Sequence, residues 1–179
     1  MPTMSKLFIA SDHAGFELKK ALVEHVHTLG YDVVDMGAAT NDPEDDYPDF
    51  ITPLAKRVAS EPNTRGIVIG GSGQGEAMCA NRIPGIRAAV FYVIAASTAI
   101  MPDSANSSAS AEEFANPAPS AASPDKYEIV RRTRQHNDAN VLSLGSRFVS
   151  VDEAREAVRI FLETEFSGSK RHLRRLAKY

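Results

Sequence analysis

Short apolar runs alternate with segments of helical periodicity along most of this chain, and that alternation constrains its fold more than any other feature. Lys6 to Ser11 is an apolar run of strand length; Phe16, Leu18, Leu22, Val23 and Val26 then recur at helical spacing until Gly30 ends the pattern. Tyr31 to Met36 predicts a second strand, Ile51 to Ala59 a helix, Arg65 to Ile69 a third strand and Gln74 to Arg82 another helix. Ala88 to Val93 and Val141 to Leu144 predict strands four and five, and Val151 to Thr164 a helix carrying Ala154, Val158, Phe161 and Leu162. Parallel neighbours need crossover connections, so the alternation predicts an α/β fold: a doubly wound parallel sheet of about five strands in three layers.

With 179 residues the chain has room for one compact domain and not for two ordinary ones, so a single domain over 1–179 is expected. The segment from Ile94 to Pro124 interrupts the alternation; it is rich in Ala, Ser and Pro, and Pro102, Pro117, Pro119 and Pro124 prevent a continuous helix. It reads as an insertion at about 94–124, either a solvated loop or an arm that covers a site or meets a partner.

A formal net charge of -3 offers no general attraction to polyanions, so nucleic acid is not an expected partner. The single cysteine, Cys79, excludes an intramolecular disulfide and a cysteine-rich zinc site, which suits a reducing compartment. No targeting segment is read at the N-terminus, and no run of about 18 apolar residues could span a bilayer. The expectation is a soluble cytoplasmic protein without a membrane partner.

In a doubly wound sheet, ligands collect beyond the C-terminal ends of the strands. Strand one ends in Ser11-Asp12-His13-Ala14-Gly15, a carboxylate and an imidazole at the start of a helix, although Asp12 alone reads equally as a helix cap. Strand three ends in Gly70-Gly71-Ser72-Gly73-Gln74-Gly75-Glu76, a glycine-rich turn whose backbone N–H groups can hold an anion. It is not a nucleotide-binding loop, because Glu76-Ala77 stands where Lys and Ser or Thr should follow the last glycine. Glu76 could move a proton while the N–H groups stabilise an oxyanion; the alternative is an exposed first-turn glutamate that only meets the helix dipole.

Gln135-His136-Asn137-Asp138-Ala139-Asn140 precedes strand five, so His136 approaches the sheet from the opposite direction. Near the C-terminus, Arg171, Arg174 and Arg175 can share one side of a helix, either as a solvated face or as planar donors for phosphate. A carboxylate base, an oxyanion-binding turn, a second titratable group and an arginine cluster are the components of enediolate chemistry on a phosphorylated sugar. The run Asp42-Pro43-Glu44-Asp45-Asp46 reads as a solvated acidic loop, so no catalytic metal and no cofactor are expected.

These residues give the chain a resemblance to the type B ribose-5-phosphate isomerase family, which also contains galactose- and allose-6-phosphate isomerases. The resemblance rests on Ser11 to Gly15, Asp46-Tyr47-Pro48-Asp49, Gly71 to Glu76, Ala80 to Arg87, His136 to Asn140 and Arg171-His172, and covers nearly everything outside the insertion. It implies a Rossmann-like sheet and a homodimer or dimer of dimers whose active sites lie between subunits. By position it makes Glu76 the base that shuttles a proton between C1 and C2, and His136 the acid that opens the furanose ring. Asp12, His13 and Asn137 would contact the sugar; Gly71, Ser72, Gly73, Gln74 and Gly75 would hold the enediolate oxygen; Arg147, Arg171 and Arg175 would cradle the phosphate.

Many members of that family carry a cysteine base where this chain has Gly70; a second branch uses a glutamate matching Glu76, and this chain resembles that branch. Cys79 is then expected to pack as a small apolar residue. Other four- or six-carbon sugar phosphates are the competing substrates, and the competing classes are a non-catalytic phosphate-binding module and an interaction protein that works through the Ala/Ser/Pro arm.

Overall fold

The computed structural model describes residues 6–93 and 125–178, so the insertion at 94–124 lies outside the described residues. Within them, β1 (Lys6–Ser11), β2 (Asp32–Asp35), β3 (Arg65–Gly70), β4 (Ala88–Phe91) and β5 (Val141–Gly145) form one sheet in the order β2-β1-β3-β5-β4, with every neighbouring pair parallel. The helices are α1 (Phe16–Thr28), α2 (Tyr47–Ser60), α3 (Gln74–Ala80), α4 (Glu128–Asn137), α5 (Val151–Glu163) and α6 (Lys170–Leu176). None of the described helices is long and apolar enough to cross a membrane.

Strand periodicity sorts the core into two halves. Leu7, Ile9, Ile67 and Ile69 face α1 and α5, where Leu18, Leu22, Val26, Ala154, Val158 and Phe161 cover them. Phe8, Ala10 and Val68 point the other way, against Ile51, Leu54, Ala55 and Val58 of α2 and Ala80 of α3. Each fully buried aliphatic side chain contributes roughly 1.5–3 kcal/mol, so burial on both faces holds the three layers together.

One helix start and one entire helix differ from the sequence reading for physical reasons, while other ends shift by one or two residues. Helix α2 begins at Tyr47 rather than Ile51, with Pro48 in its first turn, where a missing N–H breaks no helical hydrogen bond. Helix α4 is not announced by apolar periodicity at all, because its buried residues are one valine, Val130, and one arginine, Arg134.

The architecture also fixes where a crevice opens. β1 and β3 are adjacent, yet α1 leaves toward one face and α3 toward the other, so the chain diverges beyond their C-terminal ends. Buried Lys19 steers a third segment there: its Nζ donates to Asp35 Oδ1 at 2.9 Å and to the Ala38 carbonyl at 2.7 Å, tying the chain after β2 to α1.

Candidate functional site

Three segments meet at the β1–β3 crevice. Asp12, only 6% exposed, caps the short 3-10 turn His13–Gly15, and its Oδ1 accepts from the Ala14 N–H at 3.0 Å. A side chain at Gly15 would stand 2.8 Å from the Ile69 carbonyl oxygen, so only glycine lets this turn lie against β3. Asp45 comes from the loop before α2 and receives His13 twice: the main-chain N–H at 3.0 Å and ring Nδ1 at 2.7 Å, both at Oδ1.

That contact corrects the reading of residues 42–46 as a merely solvated loop. Asp45 is half-buried and points inward, whereas Asp42, Glu44 and Asp46 stay exposed. Its hydrogen bond is the main cause of a His13 pKa above the ordinary 6.5. Asp12, His13 and Asp45 bring possible cation-ligating atoms within 4.8 Å of one another, but Nδ1 and Oδ1 already engage each other. The sequence also contains one His-x-His pair, His25 and His27; two residues apart on a helix, they point to different faces and form no ligand set.

The glycine turn is held by β5. Gly73 has a left-handed backbone, φ +75°, and a side chain there would come within 2.9 Å of the Leu144 carbonyl carbon, so the position demands glycine twice over. The Ser143 hydroxyl donates to the Gly73 carbonyl at 2.6 Å, and the Ser146 N–H donates to the Gly70 carbonyl at 2.8 Å. Ser72 and Gln74 lie exposed at the rim, with the Gln74 N–H donating to Ser72 Oγ at 3.3 Å. Arg147 spreads its guanidinium over Gly71, 3.3 Å from where a side chain would begin, and the Tyr47 ring packs 3.0 Å from the equivalent point at Gly75.

Glu76, in the first turn of α3, is 4% exposed, and its carboxylate lies directly over Gly70. The expected alternative, an exposed glutamate answering the helix dipole, is therefore not what the chain builds. Burial pushes its pKa up, and the charge of Asp12 adds to that, against the backbone N–H groups of Glu76 and Gly73, which pull it down. A buried carboxylate with a raised pKa beside a glycine turn suits carbon-acid proton transfer.

The remaining residues gather elsewhere. His136 lies in the last turn of α4 with its ring centroid 4.4 Å from that of His172 on α6. Buried His172 faces the Gln135 carbonyl (3.3 Å) and Ser167 Oγ (3.2 Å) through Nδ1, and its Nε2 accepts from Arg171 Nε at 3.1 Å. Burial lowers the His136 pKa, and His172, Arg132 and Arg171 lower it further. Asn137 is exposed beside it, and Arg171 and Arg175 are exposed one turn apart on α6.

Helix α4 runs into the N-terminal end of β5, whereas Glu76 sits beyond the C-terminal end of β3. The two groups thus occupy opposite edges of a parallel sheet, separated by at least the roughly 13 Å that the five residues of β5 span. One chain brings together Asp12, His13, Gly71 to Glu76 and Arg147; it does not bring His136, Asn137, Arg171 and Arg175 to them. Asp45, Tyr47 and His172 join these groups; Tyr47 and His172 stand in motifs that carry the family resemblance, but the sequence assigns none of the three a role at the site. Asp45 stands immediately before the Asp46-Tyr47-Pro48 helix start, but nothing in an acidic run marks which member turns inward.

Comparison with known proteins identifies the family and the fold. The model of the Ribose/Galactose Isomerase family matches residues 7–117 and 115–179. Ribose-5-phosphate isomerase B of Mycobacterium tuberculosis is 33% identical over 171 residues, 96% of this chain and 85% of that protein. A probable ribose-5-phosphate isomerase B of Mycoplasma pneumoniae is 37% identical over 172 residues, covering 96% and 91%. Among solved structures, the Mycoplasma genitalium ribose-5-phosphate isomerase B with bound ribulose-5-phosphate superposes with a TM-score of 0.76 at 35% identity, covering 98% of this chain and 95% of its own. The corresponding enzyme of Clostridium thermocellum gives 0.75 at 36%, covering 97% and 93%. With its five parallel strands, divergent glycine turn and buried Glu76, the chain belongs to the ribose/galactose isomerase family.

Proposed function

We propose that this chain interconverts ribose 5-phosphate and ribulose 5-phosphate through an enediolate, with Glu76 as the base. The observation that carries the reading is the buried Glu76 carboxylate, raised in pKa and lodged beside the glycine turn at the crevice between β1 and β3. Relatives named for this isomerase and the Mycoplasma complex with ribulose-5-phosphate support the choice of substrate pair.

In the open-chain aldose, Glu76 takes the proton from C2 and returns it to C1, while N–H groups of residues 71–75 stabilise the negative oxygen of the intermediate. Asp12 and His13 contact the sugar, with Asp45 fixing the His13 ring. Phosphate binds Arg147, Arg171 and Arg175 through charge-assisted bonds. His136 donates the proton that opens the furanose ring. Burial and, after it, cationic neighbours disfavour that proton in the free protein; a phosphate dianion on the arginines offsets the second of these, so substrate binding favours the acid it needs.

A five-carbon sugar phosphate cannot bridge opposite edges of one sheet. The working unit is therefore a homodimer, or a dimer of dimers, in which Glu76 of one protomer and His136, Asn137, Arg171 and Arg175 of the other enclose each substrate. It acts in the cytoplasm, where its substrates and free Cys79 belong. The decisive experiment is an isomerase assay of the purified protein across four-, five- and six-carbon sugar phosphates: a clear kcat/KM preference for ribose 5-phosphate is expected, and preference for another sugar overturns the substrate assignment.

A further inference from the structure

A second crevice lies at the other edge of the sheet, below the N-terminal ends of β1, β3 and β5. Lys6, Tyr31, Arg65, Arg87, Arg134 and Asp138 are among the residues lining a cavity of about 610 Å³ there. That volume falls within the roughly 300–1,000 Å³ typical of small-molecule sites.

Its charge is unbalanced. Four cations, Lys6, Arg65, Arg87 and Arg134, border it against two carboxylates, Glu61 and Asp138. Asp138 is shared, accepting from Arg87 Nη2 at 2.8 Å and from Arg134 Nη1 at 2.9 Å, while Lys6 pairs with Glu61 at 3.5 Å. Arg65 forms no direct ion pair among the described residues, Asp138 and Glu165 attracting it only at longer range; its Nη1 donates to the main-chain oxygens of Phe161 and Leu162. Burial and the neighbouring Arg134 push the Arg65 guanidinium down to about 10.

Capping of helix ends accounts for part of this arrangement, since the Phe161 and Leu162 carbonyls close α5 and Arg134 also binds the Thr164 and Ala139 carbonyls. It leaves donors over: among the described residues Arg65 Nε and Nη2 and Arg134 Nη2 make no hydrogen bond. Surplus positive charge drawn away from water is costly unless an anion offsets it, and a planar guanidinium with two free donors matches phosphate oxygens. A bare phosphate would leave most of the cavity empty, so the ligand that fits carries a further body of a few carbon atoms.

We infer that this cavity binds a small phosphate monoester, its phosphate on Arg65 and Arg134 and its remaining atoms along Tyr31, Val58 and Leu162. The test uses glycerol 3-phosphate and inorganic phosphate as probes on the full-length protein carrying Arg147→Ala, Arg171→Ala and Arg175→Ala, so that phosphate held by those residues does not obscure the cavity. Calorimetric titration is expected to find one site per chain for glycerol 3-phosphate, weakened at least about tenfold by Arg65→Gln or Arg134→Gln.

Asp138→Asn removes the acid that competes for these guanidiniums and keeps a residue tolerant of the left-handed φ of 46°, so it is expected to tighten binding about threefold. Damage to folding could not produce that gain. Equal affinity for inorganic phosphate would support the phosphate site and assign it to the free ion rather than an ester. Absence of any binding in the triple variant, or binding indifferent to Arg65, Arg134 and Asp138 alike, overturns the inference.

Discussion

The carboxylate of Glu76 fills the volume that any side chain at Gly70 would need, so these two positions are coupled although one ends a strand and the other lies in the first turn of a helix. Glu76→Gln keeps the size of the group and removes its basicity; kcat is expected to fall by about 10²- to 10⁴-fold with little change in KM. Gly70→Ala leaves the carboxylate chemically intact but displaces it, and should lower kcat by at least about tenfold. Cys79, whose Sγ lies 3.3 Å from Thr52 Oγ1 rather than in the crevice, is expected to tolerate replacement by alanine within about threefold in kcat. Steady-state kinetics of the three variants checks this; wild-type turnover in Glu76→Gln with loss in Cys79→Ala would reverse the assignment of the base.

Asp12 is the charged neighbour that raises the Glu76 pKa beyond what burial does. The acid limb of the kcat/KM profile, which reports the free enzyme and where Glu76 gains its proton, should therefore lie above the ordinary carboxylate value of 4.5. Asp12→Asn removes one negative charge, so the limb should move to lower pH even as lost sugar contacts raise KM. A limb that stays in position, or moves upward, would detach Asp12 from the electrostatics of the base.

If each active site takes Glu76 from one protomer and His136 from the other, two inactive variants should rescue each other. Glu76→Gln and His136→Ala chains, unfolded together and refolded in equal amounts, form mixed dimers with one intact site and one doubly defective site. Statistical pairing then predicts about a quarter of wild-type activity. Mixtures no more active than either parent would place all the chemistry within one chain.

His13 is protonated to higher pH in the folded protein than in the unfolded chain, chiefly through its hydrogen bond to Asp45. A raised histidine pKa means that its stabilisation is complete below the unfolded value of 6.5 and is lost as pH rises through the higher folded value. Asp45→Asn should lower the His13 pKa, followed by proton NMR of the ring, and flatten that part of the stability profile. An unchanged titration would mean that the contact does not persist in solution.

Much of this was legible because periodicity reports burial. The five strands and helices α1, α2, α3 and α5 carry short apolar runs or apolar residues at helical spacing, and their alternation dictates parallel pairing, whereas the divergence beyond β1 and β3 follows from the strand order of the folded sheet. Helix α4 escaped that logic, since Arg134 is buried by hydrogen bonds to carbonyls rather than by apolar packing.

By itself the sequence determined the α/β alternation and the glycine turn, because local periodicity and residue type settle both; the adjacency of β1 and β3 that brings Asp12 and His13 to Glu76 came with the tertiary structure. Only the tertiary structure decided that Asp45 turns inward to His13, that Glu76 is buried over Gly70, and that His136 and Arg171 lie at the far edge of the sheet. Those outcomes depend on contacts between residues distant in the chain, where a side chain's direction is set by what packs around it and not by its neighbours in sequence.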